Sequence, residues 1–173
     1  MSKFEFVRKN EEFEIWKFTP DILHAFPFYM ERVRLPWRIR CVMEYFVGYN
    51  VYYIKKQDKW AGYCVISNGK NPRYDFSSEE DIIYGRYFVA EPFRGKHLAV
   101  RMLKEILDNC GLCYKKAFAY LRVRNIASVN TMKKIGAQEI KRFDIKPPFR
   151  NLYYHENGEY VLYEYQRLKI DYV

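Results

Sequence analysis

DIIYGRYFVAEPFRGKHLAVRMLKEILDNC, residues 81–110, is the stretch whose reading decides the fold. Ile82, Ile83, Tyr87, Phe88 and Val89 make an apolar strand, Ala90 to His97 a short basic turn, and the remainder an amphipathic helix. The helix carries Leu98, Met102, Leu103, Ile106, Leu107 and Cys110 at spacings of three and four, and Gly111 stands where a left-handed C-terminal cap belongs. Such a stripe predicts packing on a sheet. The turn PFRGKHLA, Pro92 to Ala99, places Gly95 and its neighbouring cations where the helix begins. Unpaired backbone N–H groups and the positive end of the helix dipole then point one way, which makes an anion cradle.

Downstream, Lys116 to Val123 (KAFAYLRV) reads as another strand, followed by a helix from Asn125 with Lys133 and Lys134 in its last turn and Gly136 as its cap. Gln138 to Ile145 and Glu159 to Leu168 (EYVLYEYQRL) are two final strands. Between them Lys146 to Gly158 (KPPFRNLYYHENG) is expected to be a long loop, and a loop of that length in a compact domain is functional or mobile. Upstream, Glu11 to Thr19 (EEFEIWKFT) is a strand ending at Pro20, and Asp21 caps a short helix broken by Pro27. Phe28 to Leu35 and Trp37 to Val47 read as two helical pieces separated by Pro36, with Val42, Met43, Phe46 and Val47 as the buried face. Val51 to Lys56 and Trp60 to Ser67 form a hairpin, and Asn68 to Glu80 is turn-rich. Strands and crossover helices in this order predict a mixed α+β layout on one sheet.

The 173 residues, 49% of them apolar, suffice for one core, so a single domain over 1–173 is expected. Seventeen tyrosines and thirteen phenylalanines favour a sheet-rich core with an aromatic-lined groove over a helical bundle. No run of eighteen apolar residues occurs and residues 1–10 lack a signal-length apolar segment, which predicts a cytoplasmic protein without a membrane partner. Cys41, Cys64, Cys110 and Cys113 make no disulfide framework, and the CxxC of Cys110 and Cys113 lacks two further ligands for zinc. A formal charge of +9 attracts polyanions, but the cations are dispersed without a basic arm, so nucleic acid is not expected as the main partner.

Two segments carry a resemblance. RGKHLA, Arg94 to Ala99, is similar to the pyrophosphate motif Q/RxxGxG/A at Arg94 and Ala99, with His97 in place of the middle glycine. NIASVNTMKKIGA, Asn125 to Ala137, is similar to NxxAxxxYxKxGF at Asn125, Lys134 and Gly136, with Ser128 for the alanine. Both motifs belong to the GCN5-related N-acetyltransferase (GNAT) family, which the chain resembles from Ile82 to Ile140. The resemblance implies a central, mixed, mostly antiparallel sheet flanked by helices and splayed at a bulge, with acetyl-CoA as cofactor and no metal. It implies direct acetyl transfer to an amine of a small molecule or peptide, by a monomer or homodimer. The pantetheine arm would add like an extra strand along Tyr87, Phe88 and Val89. The pyrophosphate would sit on the N–H groups of Arg94, Gly95, Lys96, His97, Leu98 and Ala99, and Asn125, Ser128, Met132 and Lys134 would form the second cofactor segment. The first helical pair would line the acceptor pocket through Phe26, Phe28, Tyr29, Arg32, Arg38 and Tyr45.

Two departures bear on chemistry. His97 is bulkier than glycine, yet histidine visits the left-handed region more than most residues and its ring can donate to phosphate. Met132 stands where the family often has a tyrosine to protonate the departing thiolate, and methionine donates no proton; Tyr84, Tyr87, Tyr114 and Tyr120 are the substitutes at hand. An amine acceptor arrives protonated, so a base is needed, and the entrance of the central strand offers Asp81, with Glu80 behind it and Tyr84 nearby. Acids at a strand entrance also serve solubility alone. Two other classes stay open: a coenzyme A-binding regulatory module with little catalysis, suggested by His97 and Met132, and a basic nucleic-acid or ribosome-associated protein.

Overall fold

Side-chain alternation sorts the central strands onto two faces. In the computed structural model, which describes residues 3–21, 23–24, 35–146 and 151–167, Tyr52 and Ile54 of β3 (Tyr49–Lys56) face the same core as Cys64 and Ile66 of β4 (Lys59–Asn68). Val51, Tyr53, Tyr63 and Val65, one residue out of phase, build a second core on the opposite face. The first core is closed by α2 (Leu98–Asn109), through Leu98, Met102, Leu103, Ile106 and Leu107, and by α3 (Ile126–Ile135), through Met132 and Ile135. α1 (Leu35–Tyr45) covers the second face with Cys41 and Tyr45. A third cluster on that face joins Phe118, Phe143 and Leu162 at the other end of the sheet.

The described residues form one sheet in the order β1-β2-β3-β4-β5-β6-β9-β7-β8. The remaining strands are β1 (Lys3–Lys9), β2 (Glu14–Thr19), β5 (Ile82–Val89), β6 (Ala117–Arg122), β7 (Gln138–Lys146), β8 (Asn151–Tyr154) and β9 (Tyr160–Tyr165). All neighbours are antiparallel except β5 and β6. Those two pair only at Ile82 with Ala117 and Ile83 with Phe118, although both strands run several residues further. The sheet therefore parts in its middle, as the resemblance implied.

On the other edge of β5 a bulge coincides with the parting. Tyr63 pairs with Phe88 and Val65 with Gly85, so three steps of β5 oppose two of β4. The extra residue lets Tyr84 and Tyr87, three apart, both pack toward α2 and α3, and it holds Arg86 at φ 48°. Gly62 permits the close approach: a Cβ there would lie 2.5 Å from the carbonyl oxygen of Phe88.

Three expectations are corrected. β1 is an additional edge strand paired along β2; its alternating Phe4 and Phe6 are masked in the sequence by charge at the intervening positions. The segment expected as a long loop contains β8, paired with β7 from Phe143–Tyr154 to Lys146–Asn151, and residues 147–150 lie outside the described ones. The supposed buried stripe of α1 is turned outward: Val42, Met43 and Phe46 are 41%, 66% and 78% exposed, and Cys41 and Glu44 are buried instead. Glu44 finds an ionic partner on the sheet, Arg86, which explains the rotation.

Candidate functional site

The turn after β5 is a 3-10 turn (Glu91–Phe93) with Pro92 in its first positions, followed by Arg94 in extended conformation and Gly95 at φ 77°. His97 then takes φ 55°, ψ 19°, the left-handed conformation a glycine would take, and α2 starts at the next residue. No side chain caps that start and no acid sits in its first turn, so its N–H groups are directed outward with the dipole's positive end. Lys134 reaches across from the last turn of α3 and places its Nζ 3.3 Å from Nδ1 of His97, to which it donates when the ring is neutral. The two residues singled out from separate motifs thus meet at one point. Arg94 donates through Nε to the Val89 carbonyl at 2.9 Å and lies over the Phe88 ring at 5.4 Å, which fixes its stem and leaves the two Nη groups beyond it.

A cavity of about 480 Å³ opens between this turn, the end of β5 and α3. It is lined by all the positions expected to hold the cofactor except Lys96, Asn125 and Met132. Lys96 is exposed on the turn, and Asn125 caps α3 by accepting from the N–H of Ser128 at 3.3 Å. Asn125 and Met132 line a neighbouring cavity of about 330 Å³ in the parting of β5 and β6, and Tyr87 and Ser128 belong to both spaces. Burial raises the Tyr87 hydroxyl pKa, tempered by the hydroxyls of Ser128 and Thr131. A third space of about 160 Å³ lies toward α1, lined by Glu44, Ser67, Tyr74, Tyr84, Arg86 and Tyr120 among others. It shares Gly85, Arg86 and Tyr120 with the second, so the three spaces run from the α2 start through the parted strands to the other face.

Met132 is fully buried, and its sulfur accepts a hydrogen bond from the Tyr84 hydroxyl at 3.4 Å. Burial pushes the Tyr84 pKa well above that of a free tyrosine, so the hydroxyl keeps its proton. The position at which the family often has a tyrosine is therefore in contact with one supplied by β5. Of the other tyrosines, Tyr120 pairs with Tyr74 hydroxyl to hydroxyl at 3.1 Å on the far face, while Tyr114 donates to the Leu107 carbonyl at 3.1 Å, away from the three cavities.

Asp81 and Glu80 line none of the three cavities. Asp81 is 7% exposed, and its carboxylate accepts from the Ser78 N–H at 2.8 Å, the Ser78 hydroxyl at 2.7 Å and the Lys116 N–H at 3.1 Å. It ties the turn before β5 to the start of β6. Glu80 is exposed and pairs with Lys115 at 3.3 Å. The carboxylate that sequence reading missed is Glu44, 6% exposed and ion-paired with Arg86; it is the one acid among the described residues lining the three cavities. The sequence signals only the other half of this pair: Gly85-Arg86 interrupts an apolar strand, which marks a bulge and a buried charge in want of a partner, without saying which acid supplies it. Tyr45 packs on the α1-side core and lines none of these spaces. Phe26, Phe28, Tyr29 and Arg32 lie outside the described residues, as does the Arg38 side chain.

Comparison with known proteins agrees with this geometry. The sequence profile of the Acetyltransferase (GNAT) family matches residues 11–137. Among solved structures the fold is similar to the Microcin C7 self-immunity acetyltransferase MccE in complex with acetyl-CoA and AMP, with a TM-score of 0.58 and 15% identity over 91% of this chain and 93% of that one. It is similar to a GNAT-family acetyltransferase from Streptococcus agalactiae 2603, with a TM-score of 0.56 and 16% identity over 78% and 75%. The spermidine N-acetyltransferase from Vibrio cholerae in complex with CoA and spermine gives a TM-score of 0.52 and 13% identity, with 69% of this chain covering 66% of that one. Among curated proteins no sequence match is found. A profile match through well over half of the sequence, on a sheet that bulges and parts between β5 and β6, means that this chain belongs to the GNAT acetyltransferase family.

Proposed function

We propose that the chain binds acetyl-CoA along β5 and the start of α2, and transfers its acetyl group directly to an amine that enters from the α1 side of the sheet. The observation that carries this reading is the series of adjoining cavities, each sharing lining residues with the next, from the uncapped start of α2, past the parted strands, to a buried carboxylate toward α1. The residues present fit the cofactor. An uncapped twelve-residue helix start flanked by Arg94 and Lys134 suits a diphosphate, and the edge of β5 that turns away from β6 offers main-chain groups to an extended arm.

When bound, acetyl-CoA supplies the thioester carbonyl that an amine attacks. The chain's own residues do the rest. The Arg94 N–H is spent on the Glu91 carbonyl at 3.1 Å, so the N–H groups of residues 95–99 hold negative charge, with Lys134 and His97 beside them. Tyr84, kept protonated by burial, would donate to a departing thiolate by turning its one O–H away from the Met132 sulfur, without giving up the proton. Glu44, which shares its carboxylate with Arg86, would hold the acceptor's ammonium and take its proton, directly or through a water. The aromatic walls of Tyr74 and Tyr120 exclude water and favour the neutral, attacking form of the amine.

The test is release of the coenzyme A thiol from acetyl-CoA with and without a panel of amines, with Glu44→Gln as control. Amine-dependent release, lowered in its plateau at high pH by Glu44→Gln, is the expected result. Tight acetyl-CoA binding with no amine-dependent release would instead make the chain a coenzyme A-binding module.

A further inference from the structure

The acceptor face carries an excess of arginine that acetyl transfer by itself does not need. Along β6 the residues alternate: Ala119 and Leu121 turn to the helices, while Tyr120 belongs with the third cluster and Arg122 lies over the Tyr160 ring of the same cluster at 5.6 Å. Arg122 is therefore on the face from which the acceptor enters, as is Arg86, which pairs with Glu44 of α1. The cavity in the parting of the strands is lined by Arg86, Arg122 and Arg124 and by no acidic residue. One carboxylate outside it, Glu159, serves two of them, at 3.3 Å from Arg122 and 3.7 Å from Arg124. Arg124 is 71% exposed and Arg122 47%, so neither guanidinium is enclosed by its partner.

Arg86 is paired with Glu44, but Arg122 and Arg124 share one carboxylate, and together they repel a polycation and present planar forks to carboxylate or phosphate. Glu44, on the adjoining cavity wall, offers the opposite charge a short way in. Building on the acetyl-transfer reading above, we infer that the preferred acceptor is an amine bearing its own carboxylate or phosphate group, with the amine directed to Glu44 and the anionic group held by Arg122 and Arg124. A polyamine such as the spermine bound by the Vibrio cholerae enzyme is a poor fit to this lining.

The test compares amines that differ only in the anionic group: glycine against glycinamide for a carboxylate, O-phosphoethanolamine against ethanolamine for a phosphate, and spermidine as the polycation. With saturating acetyl-CoA, at least one anionic member should exceed its neutral partner in kcat/KM by about ten-fold or more, the scale of one charge-assisted hydrogen bond. The pair that shows the preference identifies carboxylate or phosphate as the source. Arg122→Gln should cut the preference several-fold by lowering kcat/KM for the anionic amine more than for its neutral partner, with acetyl-CoA affinity unchanged. Calorimetric titration of the full chain with the same anionic amines, without acetyl-CoA, should show binding that Arg122→Gln weakens. That measurement stands even if acetyl-CoA is not bound, a result that would overturn the acetyl-transfer reading alone. Spermidine as the best acceptor, equal rates within both pairs, no turnover of any member by acetyl-CoA-loaded protein, or a preference undiminished by Arg122→Gln would each overturn the inference.

Discussion

His97 is where one side chain decides the shape of the cofactor turn. Its left-handed backbone puts the first N–H groups of α2 toward the cavity, and its ring meets Lys134. His97→Gly adopts the same conformation without steric cost and should keep acetyl-CoA affinity within a few-fold. His97→Val sets a β-branched residue where L-residues lose roughly 1–2 kcal/mol, and should weaken binding about ten-fold. Calorimetric titration of both variants checks the pair, and equal affinities would mean that the turn does not present the anion-binding N–H groups. This residue was legible in the sequence because histidine tolerates the conformation a missing glycine requires. Glu44 was not, because its partner Arg86 is 42 positions away and only the tertiary fold brings them together. For the same reason the Asp81 carboxylate looked available in a linear reading, where its hydrogen bonds to Ser78 and Lys116 cannot be seen.

At the level of elements, the pattern read well wherever burial on one face fixed it. β5, α2, β6 and α3 all lie within a residue or two of their expected bounds, since period two or a stripe at three and four leaves little freedom when one side meets a core. β1, β8 and the rotation of α1 escaped because the first two lie at the sheet margins, where one edge has no partner strand, and the third is decided by an ion pair rather than by hydrophobicity. The bulge is the element on which function turns, and Gly62 is its tightest point. Gly62→Ala brings a Cβ to 2.5 Å from a backbone oxygen of β5, so β5 must shift. We expect about 1–3 kcal/mol of destabilisation, as for overpacking elsewhere, measured by urea unfolding, together with a larger loss of acetyl transfer than of stability. A variant with unchanged stability and rate would show that the close approach of β4 and β5 is not needed.

The whole molecule concentrates tyrosines in its interior, and this sets its response to alkali. Burial raises the pKa of Tyr49, Tyr52, Tyr53, Tyr74 and Tyr84 above the usual value of about 10. Above about pH 10 the unfolded chain releases these protons while the folded one retains them, so the unfolded state binds fewer protons and stability falls with rising pH. The limiting slope is about 1.4 kcal/mol per pH unit for each such tyrosine, which makes a steep loss of the urea midpoint above about pH 10 the expected outcome. A flat profile there would mean that the tyrosine interior is open to water. Composition made this aromatic interior legible; the parting of the sheet that runs through it rests on long-range strand pairing that no local pattern encodes. The claim on which everything else depends is that the start of α2 and the end of β5 hold acetyl-CoA, and calorimetric titration of acetyl-CoA into the parent protein and Arg94→Ala tests it most directly. The expected result is one site in the parent, weakened by about 1.5–3 kcal/mol in the variant, the loss of one charge-assisted contact. No binding by the parent, or equal affinity in the two proteins, would contradict it.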